Sequence, residues 1–175
     1  MNMICMRDVS PDWDSLPVWT MKNYEHSGYL NEPFVQVRAC YVAQTGFHLR
    51  VTAYENAANY VLMENYKGNQ ITLVCNFGLT KSEELSVIVS IDGKKSGFED
   101  VDCKMLQGED LQGVFWGVDV SFSNSVIKEH MHSGRDLTCG DSISFNIFKR
   151  WLTSKKYFHS GKLFNEGECC IFKHF

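Results

Sequence analysis

From Phe34 to the C-terminus, apolar and polar residues alternate along a series of short segments. In residues 46–54 the apolar side carries Phe47, Leu49, Val51 and Ala53, and the polar side carries His48, Arg50, Thr52 and Tyr54. Residues 85–92 and 141–149 repeat this alternation. A period of two is typical of strands with one buried face, and many such strands between turn signals indicate a sandwich or barrel. We therefore predict an all-β, antiparallel, jelly-roll-like sandwich, which excludes most enzyme scaffolds built on parallel α/β sheets.

The same pattern predicts the individual elements. The predicted strands cover residues 34–43, 46–55, 70–77, 84–92, 98–105, 114–122, 141–149 and 168–174. A tight hairpin turn at residues 44–46 joins the first two. Residues 57–69 are predicted as a helical turn followed by a loop, and residues 107–110 as a polar loop. One short helix is predicted over residues 126–132, with Ser123 or Ser125 as its N-cap and Gly134 at its end.

Residues 1–33 differ from the rest of the chain in composition. They contain all three prolines and two of the four tryptophans, Trp13 and Trp19. Because proline restricts its own backbone and that of the preceding residue, we predict an irregular lead-in with one short edge strand near Val18 and Trp19. The lead-in packs on a body formed by residues 34–175. A chain of 175 residues is long enough for one domain with a substantial core.

Charge and cysteine content exclude several classes of protein. The net charge of −4, with 17 basic and 21 acidic residues, is not typical of nucleic-acid binding. Seven cysteines at irregular spacing, without a CxxC pair, support neither a disulfide framework nor a zinc site, and Cys40 and Cys75 fit buried positions. The chain shows neither a signal-peptide pattern nor an apolar run of about 20 residues. We therefore expect a cytoplasmic protein that does not bind membranes.

Several motifs resemble the family-nine-like carbohydrate-binding modules, which are DOMON-like jelly-roll sandwiches. The resemblance rests on Arg38-x-x-Tyr41, Leu49-x-Val51 and Glu55, on Trp116 in the strand from Gly113 to Phe122 with the following helix, on Gly140 to Lys149 with Asn146, and on residues 158–164. It covers most of residues 34–175. It implies a sandwich that holds a sugar between aromatic rings, without catalysis.

The resemblance extends to calcium only in part. Calcium-binding members use acidic and carbonyl oxygens, which suit this hard cation. Between Glu55 and Ile71, only Glu64 could stand in for the acidic stretch of that family. The chain has no compact run of oxygen ligands, so we expect neither calcium nor another cofactor.

Four residues are candidates for the ligand site. Trp151 follows two cations at the end of a strand and is a candidate stacking platform, because sugar C–H faces are apolar. Glu55 is a candidate acceptor for sugar hydroxyls, and Arg38 and Arg50 are candidate donors. The three charged residues are expected on one face of the sheet, and the alternative for them is a surface ion pair worth about 0–1 kcal/mol. Trp116, on the apolar side of its strand, is expected in the core.

Two other functions remain open from the sequence. One is a small intracellular sandwich-fold enzyme acting on a sugar or related metabolite, with His159 and a carboxylate in a cleft. The other is a protein-interaction module that pairs through an exposed sheet edge. No GxSxG, HExxH, Walker or GxGxxG motif occurs. His130 and His132, two apart on a helix, point in different directions and do not form a metal signature. We therefore favour a non-catalytic module that binds a small molecule or an oligosaccharide.

Overall fold

The structure, a computed structural model, describes residues 2–7, 12–21, 23–24, 34–54, 60–67, 70–79, 85–91, 94–95, 101–132, 134–152, 157–164 and 168–174. Within these ranges fourteen strands form one sheet. They are β1 (Asn2–Arg7), β2 (Trp19–Thr20), β3 (Asn23–Tyr24), β4 (Phe34–Val42), β5 (Gly46–Tyr54), β6 (Tyr60–Lys67), β7 (Gln70–Leu79), β8 (Leu85–Ile91), β9 (Lys94–Lys95), β10 (Val101–Asp110), β11 (Gly113–Phe122), β12 (Ser142–Leu152), β13 (Tyr157–Lys162) and β14 (Cys170–His174). A 3₁₀ turn spans Trp13–Ser15, and the helix α1 (Asn124–Val126) continues as a π-helical turn, Ile127–Met131.

The sheet is curled, and its inner face encloses the core. The strand order is β10-β11-β5-β4-β1-β14-β12-β6-β7-β8-β9, with β13 beside β12, β3 beside β13 and β2 beside β4. Three strands separate β5 from β12 in this order, yet the rings of Phe47 and Phe145 lie 5.7 Å apart between centroids. Strand β10 also approaches β8, near the other end of the order. The predicted all-β class with a single short helix is confirmed.

The alternating pattern decides which side chains enter this core. In β5 the side chains of Phe47, Leu49, Val51 and Ala53 are buried, as the period of two predicts. Trp116 is 3% exposed and also belongs to the core. Trp19 packs its ring against Phe145 and Phe164. The short strand predicted near Trp19 is therefore present as β2, and it attaches the lead-in to the inner face.

Strand β1 is the largest departure from the predicted organisation. Residues 1–33 were predicted to be irregular, but Asn2–Arg7 forms a central strand with Ile4, Cys5 and Met6 buried. This strand runs parallel to both β14 and β4, so the sheet is not purely antiparallel as predicted. Burial on both faces explains why β1 lacks an alternating pattern.

Three further predictions of local structure were wrong. Residues 60–67, predicted within a variable segment, form β6. The predicted loop 107–110 continues β10, which pairs with β11 as far as Asp110. Strand β13 was not among the predicted strands. In each case pairing with a neighbouring strand outweighs weak local propensity.

The predicted helix and its caps are confirmed. The hydroxyl of Ser123 accepts a hydrogen bond from the backbone N–H of Val126 at 3.4 Å. Gly134 has a positive φ of 80°, and its N–H donates to the carbonyl of Lys128 at 2.6 Å. The helical segment buries Val126, Ile127 and Met131, and the π-helical turn contacts β6 and β7. Its short length is therefore compensated by tertiary packing.

The described cysteines are free thiols in varied surroundings. Cys40 is fully buried, as predicted, whereas the side chain of Cys75 lies outside the described residues. Burial raises the pKa of Cys40 to about 12. Cys5 lies opposite Cys40 on the neighbouring parallel strand, and Leu16 and Val42 pack beside them. These thiols therefore act as small apolar side chains. In the described part of the chain, no helix is long and apolar enough to cross a membrane.

Candidate functional site

Two of the four predicted site residues lie next to each other on the outer face of the sheet. The register pairs Arg38 of β4 with Arg50 of β5, and Arg50 with Asp119 of β11. Lys104 of β10 lies opposite Asp119. We call these four residues, Arg38, Arg50, Asp119 and Lys104, the charged row. Directly opposed side chains interact across strands, so the shared face that the sequence indicated for Arg38 and Arg50 is present.

Arg50 has two of its donors bonded within the protein. Its Nε donates to Asp119 Oδ1 at 2.6 Å and its Nη2 donates to Asp119 Oδ2 at 2.7 Å, which is a bidentate pair. Trp13, on the 3₁₀ turn, places its ring 4.5 Å from the guanidinium carbon of Arg50. This is a cation–π contact. Arg50 therefore holds Asp119 and anchors the lead-in, whereas the sequence suggested a donor to ligand hydroxyls.

Arg38 differs from Arg50 because no described residue bonds its guanidinium group. Its side chain is half-buried, and its Nε is buried without any hydrogen-bond partner. No described residue accepts a hydrogen bond from Arg38 or forms an ion pair with Arg38. A buried donor without an acceptor costs roughly 1–3 kcal/mol, and such a cost is often retained at functional sites. Since Nε is closed off from solvent, any ligand of Arg38 would bind its terminal Nη atoms.

Three aromatic rings lie in a second row on the same face. Tyr54 is at the centre, 5.7 Å from the ring of Phe34 and 5.7 Å from the ring of Phe115. Phe34 is 40% exposed, and the other two rings are half-buried. The ring of Phe115 covers Gly108 of β10, where any side chain would collide with it. We call Phe34, Tyr54 and Phe115 the aromatic row.

The hydroxyl of Tyr54 fixes the central ring. It donates a hydrogen bond of 2.8 Å to Asp110 Oδ2, in the hairpin between β10 and β11. Burial, followed by this bond and the negative charge of Asp110, raises the pKa of Tyr54. The positive charge of Arg38 opposes that rise. Tyr54 is therefore neutral at physiological pH and lies within electrostatic reach of Arg38.

Four residues lie between the two rows, one on each strand: Gln36 on β4, Thr52 on β5, Gly117 on β11 and Leu106 on β10. Thr52 of β5 pairs with Gly117 of β11 at the position between Arg50 and Tyr54, and both residues are buried. A Cβ atom on Gly117 would collide with the backbone oxygen of Val51, so glycine allows the close approach of β11 to β5. Thr52 and Gly117 are covered by their neighbours, and Gln36 and Leu106 are half-buried beside them.

The other two predicted site residues, Glu55 and Trp151, lie wholly or partly outside the described residues. Glu55 lies outside the described residues. Trp151 lies on β12 opposite Phe158, but its side chain is not among those described. Tyr41, one of the residues that carry the resemblance, is 7% exposed and donates its hydroxyl to Asn124 Oδ1 at 2.9 Å. Tyr41 therefore connects the core to the start of the helix and does not reach the outer face.

A histidine and a carboxylate meet at the other end of the helix. His132 is 7% exposed, and its Nε2 lies 3.6 Å from Asp141 Oδ1, while its Nδ1 lies 3.2 Å from the carbonyl oxygen of Arg135. The backbone N–H and the hydroxyl of Thr138 each donate to Asp141 Oδ2 at 2.8 Å. These bonds lower the pKa of Asp141, and His132 and Arg135 lower it further. The cluster closes the loop that precedes β12.

Removing the charge of Asp141 is expected to weaken this loop in a pH-dependent way. The folded-state pKa lies below the unfolded value of about 3.9, so the stabilisation is complete above pH 5 and is lost as the pH falls through the folded pKa. Asp141→Asn should cost about 1 kcal/mol at pH 7. Urea unfolding of both proteins between pH 7 and pH 3 would check this. A difference in the free energy of unfolding between the two proteins that grows on acidification would contradict this prediction.

The sequence alone missed Asp119 and the aromatic row. One signal was present, because the alternation that buries Trp116 and Val118 directs Phe115 and Asp119 to the opposite face. The contact also requires that β11 pairs with β5, which brings Asp119 to Arg50 from 69 positions away in the sequence. No turn signal links these two strands.

Neither metal groups nor known relatives identify the ligand. Among the described residues, no three His, Cys, Asp or Glu side chains are grouped to hold a metal ion. Comparisons of the chain with protein-family models, with curated proteins and with solved structures each find no match. The resemblance to carbohydrate-binding modules therefore stays a prediction from the sequence motifs.

Proposed function

We propose that the protein is a non-catalytic carbohydrate-binding module-like protein whose ligand lies on the outer face of β4, β5 and β11. The observation that carries this proposal is the aromatic row, which shares the outer face with an arginine that no described residue bonds. Apolar sugar faces stack on rings, and sugar hydroxyls bind charged donors.

Tyr54 should contribute most to sugar binding, because it is the central ring of the row. Loss of one stacked ring costs about 1.4 kcal/mol, or roughly tenfold in affinity. We therefore expect Tyr54→Ala to weaken sugar binding about tenfold, whereas Tyr54→Phe, which retains the ring, should change it less than about threefold. A thermal-shift screen of mono- and oligosaccharides, with and without calcium, identifies the sugar, and titration of both variants measures the loss.

Trp151→Ala belongs in the same titration, because it tests the platform predicted from the sequence. Loss of binding in Trp151→Ala with full binding in Tyr54→Ala would move the site from the outer face to β12. A screen without any sugar-dependent rise in melting temperature would contradict carbohydrate binding. It would favour a protein-interaction module, for which the ten-residue strand β10 at the end of the sheet order offers an edge.

A further inference from the structure

The charges on the outer face are unbalanced, and this imbalance bears on the chemistry of the ligand. The charged row contains three cations and one anion, although the whole chain carries a net charge of −4. The carboxylate of Asp119 is bound at both oxygens by Arg50. Lys104 lies on the far side of Asp119 and is exposed to solvent. Arg38, at the opposite end of the row, has Arg50 as its cross-strand neighbour.

Two like charges in direct cross-strand contact are unfavourable unless an anion lies near them. Asp119 compensates Arg50, but no described carboxylate compensates Arg38. The guanidinium of Arg38 is half-buried, so solvent screens its charge only in part. An anion from a ligand would satisfy donors that the described residues leave unused. Carboxylates match the planar fork of arginine and bind it through two parallel hydrogen bonds.

The two rows are further apart along the strands than one sugar unit is long, so the side chain of Arg38 must bridge part of the distance. Arg38 and Phe34 are four positions apart on β4, and Arg50 and Tyr54 are four positions apart on β5. At about 3.3–3.4 Å per residue, the rows are separated by roughly 13 Å along the strands. The long side chain of Arg38 covers part of that gap, and its charge acts on Tyr54. Between the rows, Gln36 and Leu106 lie half-buried beside the buried Thr52 and Gly117.

We propose that the ligand is an acidic sugar, a uronic acid residue that stacks on the aromatic row and directs its carboxylate to Arg38. This inference rests on the proposed carbohydrate-binding function and defines its ligand class. Arg50 and Asp119 act as positioning residues, because their bidentate pair occupies Arg50 and leaves the guanidinium of Arg38 to bind the carboxylate of the ligand. Trp13 covers Arg50 and limits access to it, so the ligand approaches from the side of Arg38.

The first test compares an acid with its own ester on the unmodified protein. Isothermal titration at low ionic strength uses trigalacturonate and triglucuronate, each beside its fully methyl-esterified form. We expect at least one acid to bind ten times more tightly than its ester. Equal binding of acid and ester, with Tyr54→Ala weakening both, would overturn the acidic-sugar inference and leave the proposed function intact. Absence of binding by these sugars and by the neutral panel would contradict both.

The second test assigns the preference to Arg38. Arg38→Lys retains the charge but removes the fork, and should reduce binding of the acid about tenfold while leaving the ester unchanged. Lys104→Gln is the matched control, because it removes a cation from the other end of the charged row. We expect it to change acid binding less than threefold. Equal losses in the two variants would indicate a general charge effect and would overturn the role of Arg38.

Discussion

Replacement of Gly46 by alanine is expected to destabilise the protein by more than about 3 kcal/mol, the largest effect of any single substitution considered. Gly46 begins β5 with a φ of +105°, which L side chains rarely adopt. A Cβ atom at this position would also overlap the carbonyl oxygen of Phe122 on β11. The strain costs about 1–3 kcal/mol, and relief of the overlap requires β5 and β11 to separate where the rings of Phe47 and Phe122 stack.

Gly113→Ala separates the backbone strain from the steric overlap that Gly46→Ala combines. Gly113 has a φ of +123°, but a Cβ atom there would have no other atom within 4 Å. This variant should therefore show only the backbone strain, about 1–3 kcal/mol. Urea unfolding followed by tryptophan fluorescence measures both proteins. Because a domain of this kind is stable by roughly 5–15 kcal/mol, Gly113→Ala should fold, and Gly46→Ala should fold weakly or accumulate as insoluble protein. Equal stabilities of the two variants would contradict the proposed collision.

Asn146→Ala is expected to cost about 2–4 kcal/mol, because a buried amide connects β12 to the segment after β13. Asn146 Nδ2 donates to the carbonyl of Phe164 at 2.9 Å. Its Oδ1 accepts from the N–H of Phe164 at 3.0 Å and from the N–H of Ile147 at 2.9 Å. Alanine would leave these backbone groups buried without side-chain partners, at about 1–3 kcal/mol for each unsatisfied group. The ring of Phe164 packs on Phe145 and Trp19, so displacement of this segment also disturbs the core.

Asn124→Ala is the matched control for this prediction. Asn124 also bridges two elements, since it accepts from Tyr41 Oη and its Nδ2 donates to the carbonyl of Ala43 at 2.9 Å. Asn124 is only half-buried, so water can replace part of these bonds and the loss should be about 1 kcal/mol. Denaturant unfolding of both variants provides the comparison. A loss for Asn146→Ala no larger than that for Asn124→Ala would show that burial of the amide does not decide its contribution.

About half of the candidate site could be predicted from local sequence. Arg38 and Arg50 were placed on one face because each lies at a polar position of an alternating strand, and the turn at residues 44–46 makes the two strands a hairpin. Phe34 belongs to the first of these strands, and Tyr54 was already assigned to the polar side of β5. Their part in a row of rings was not evident, because Phe115 comes from a strand more than sixty residues later.

The sequence by itself determined the all-β class, the short capped helix and the faces on which the residues of β5 and β11 lie. These are local properties, since a period of two or a cap depends on residues a few positions apart. Only the tertiary structure decided that β1 lies between β4 and β14, that β11 pairs with β5, and that Asp119 therefore binds Arg50. Strand order between distant segments depends on which edges remain unpaired once the whole sheet curls around its core, and no short stretch of sequence contains that information.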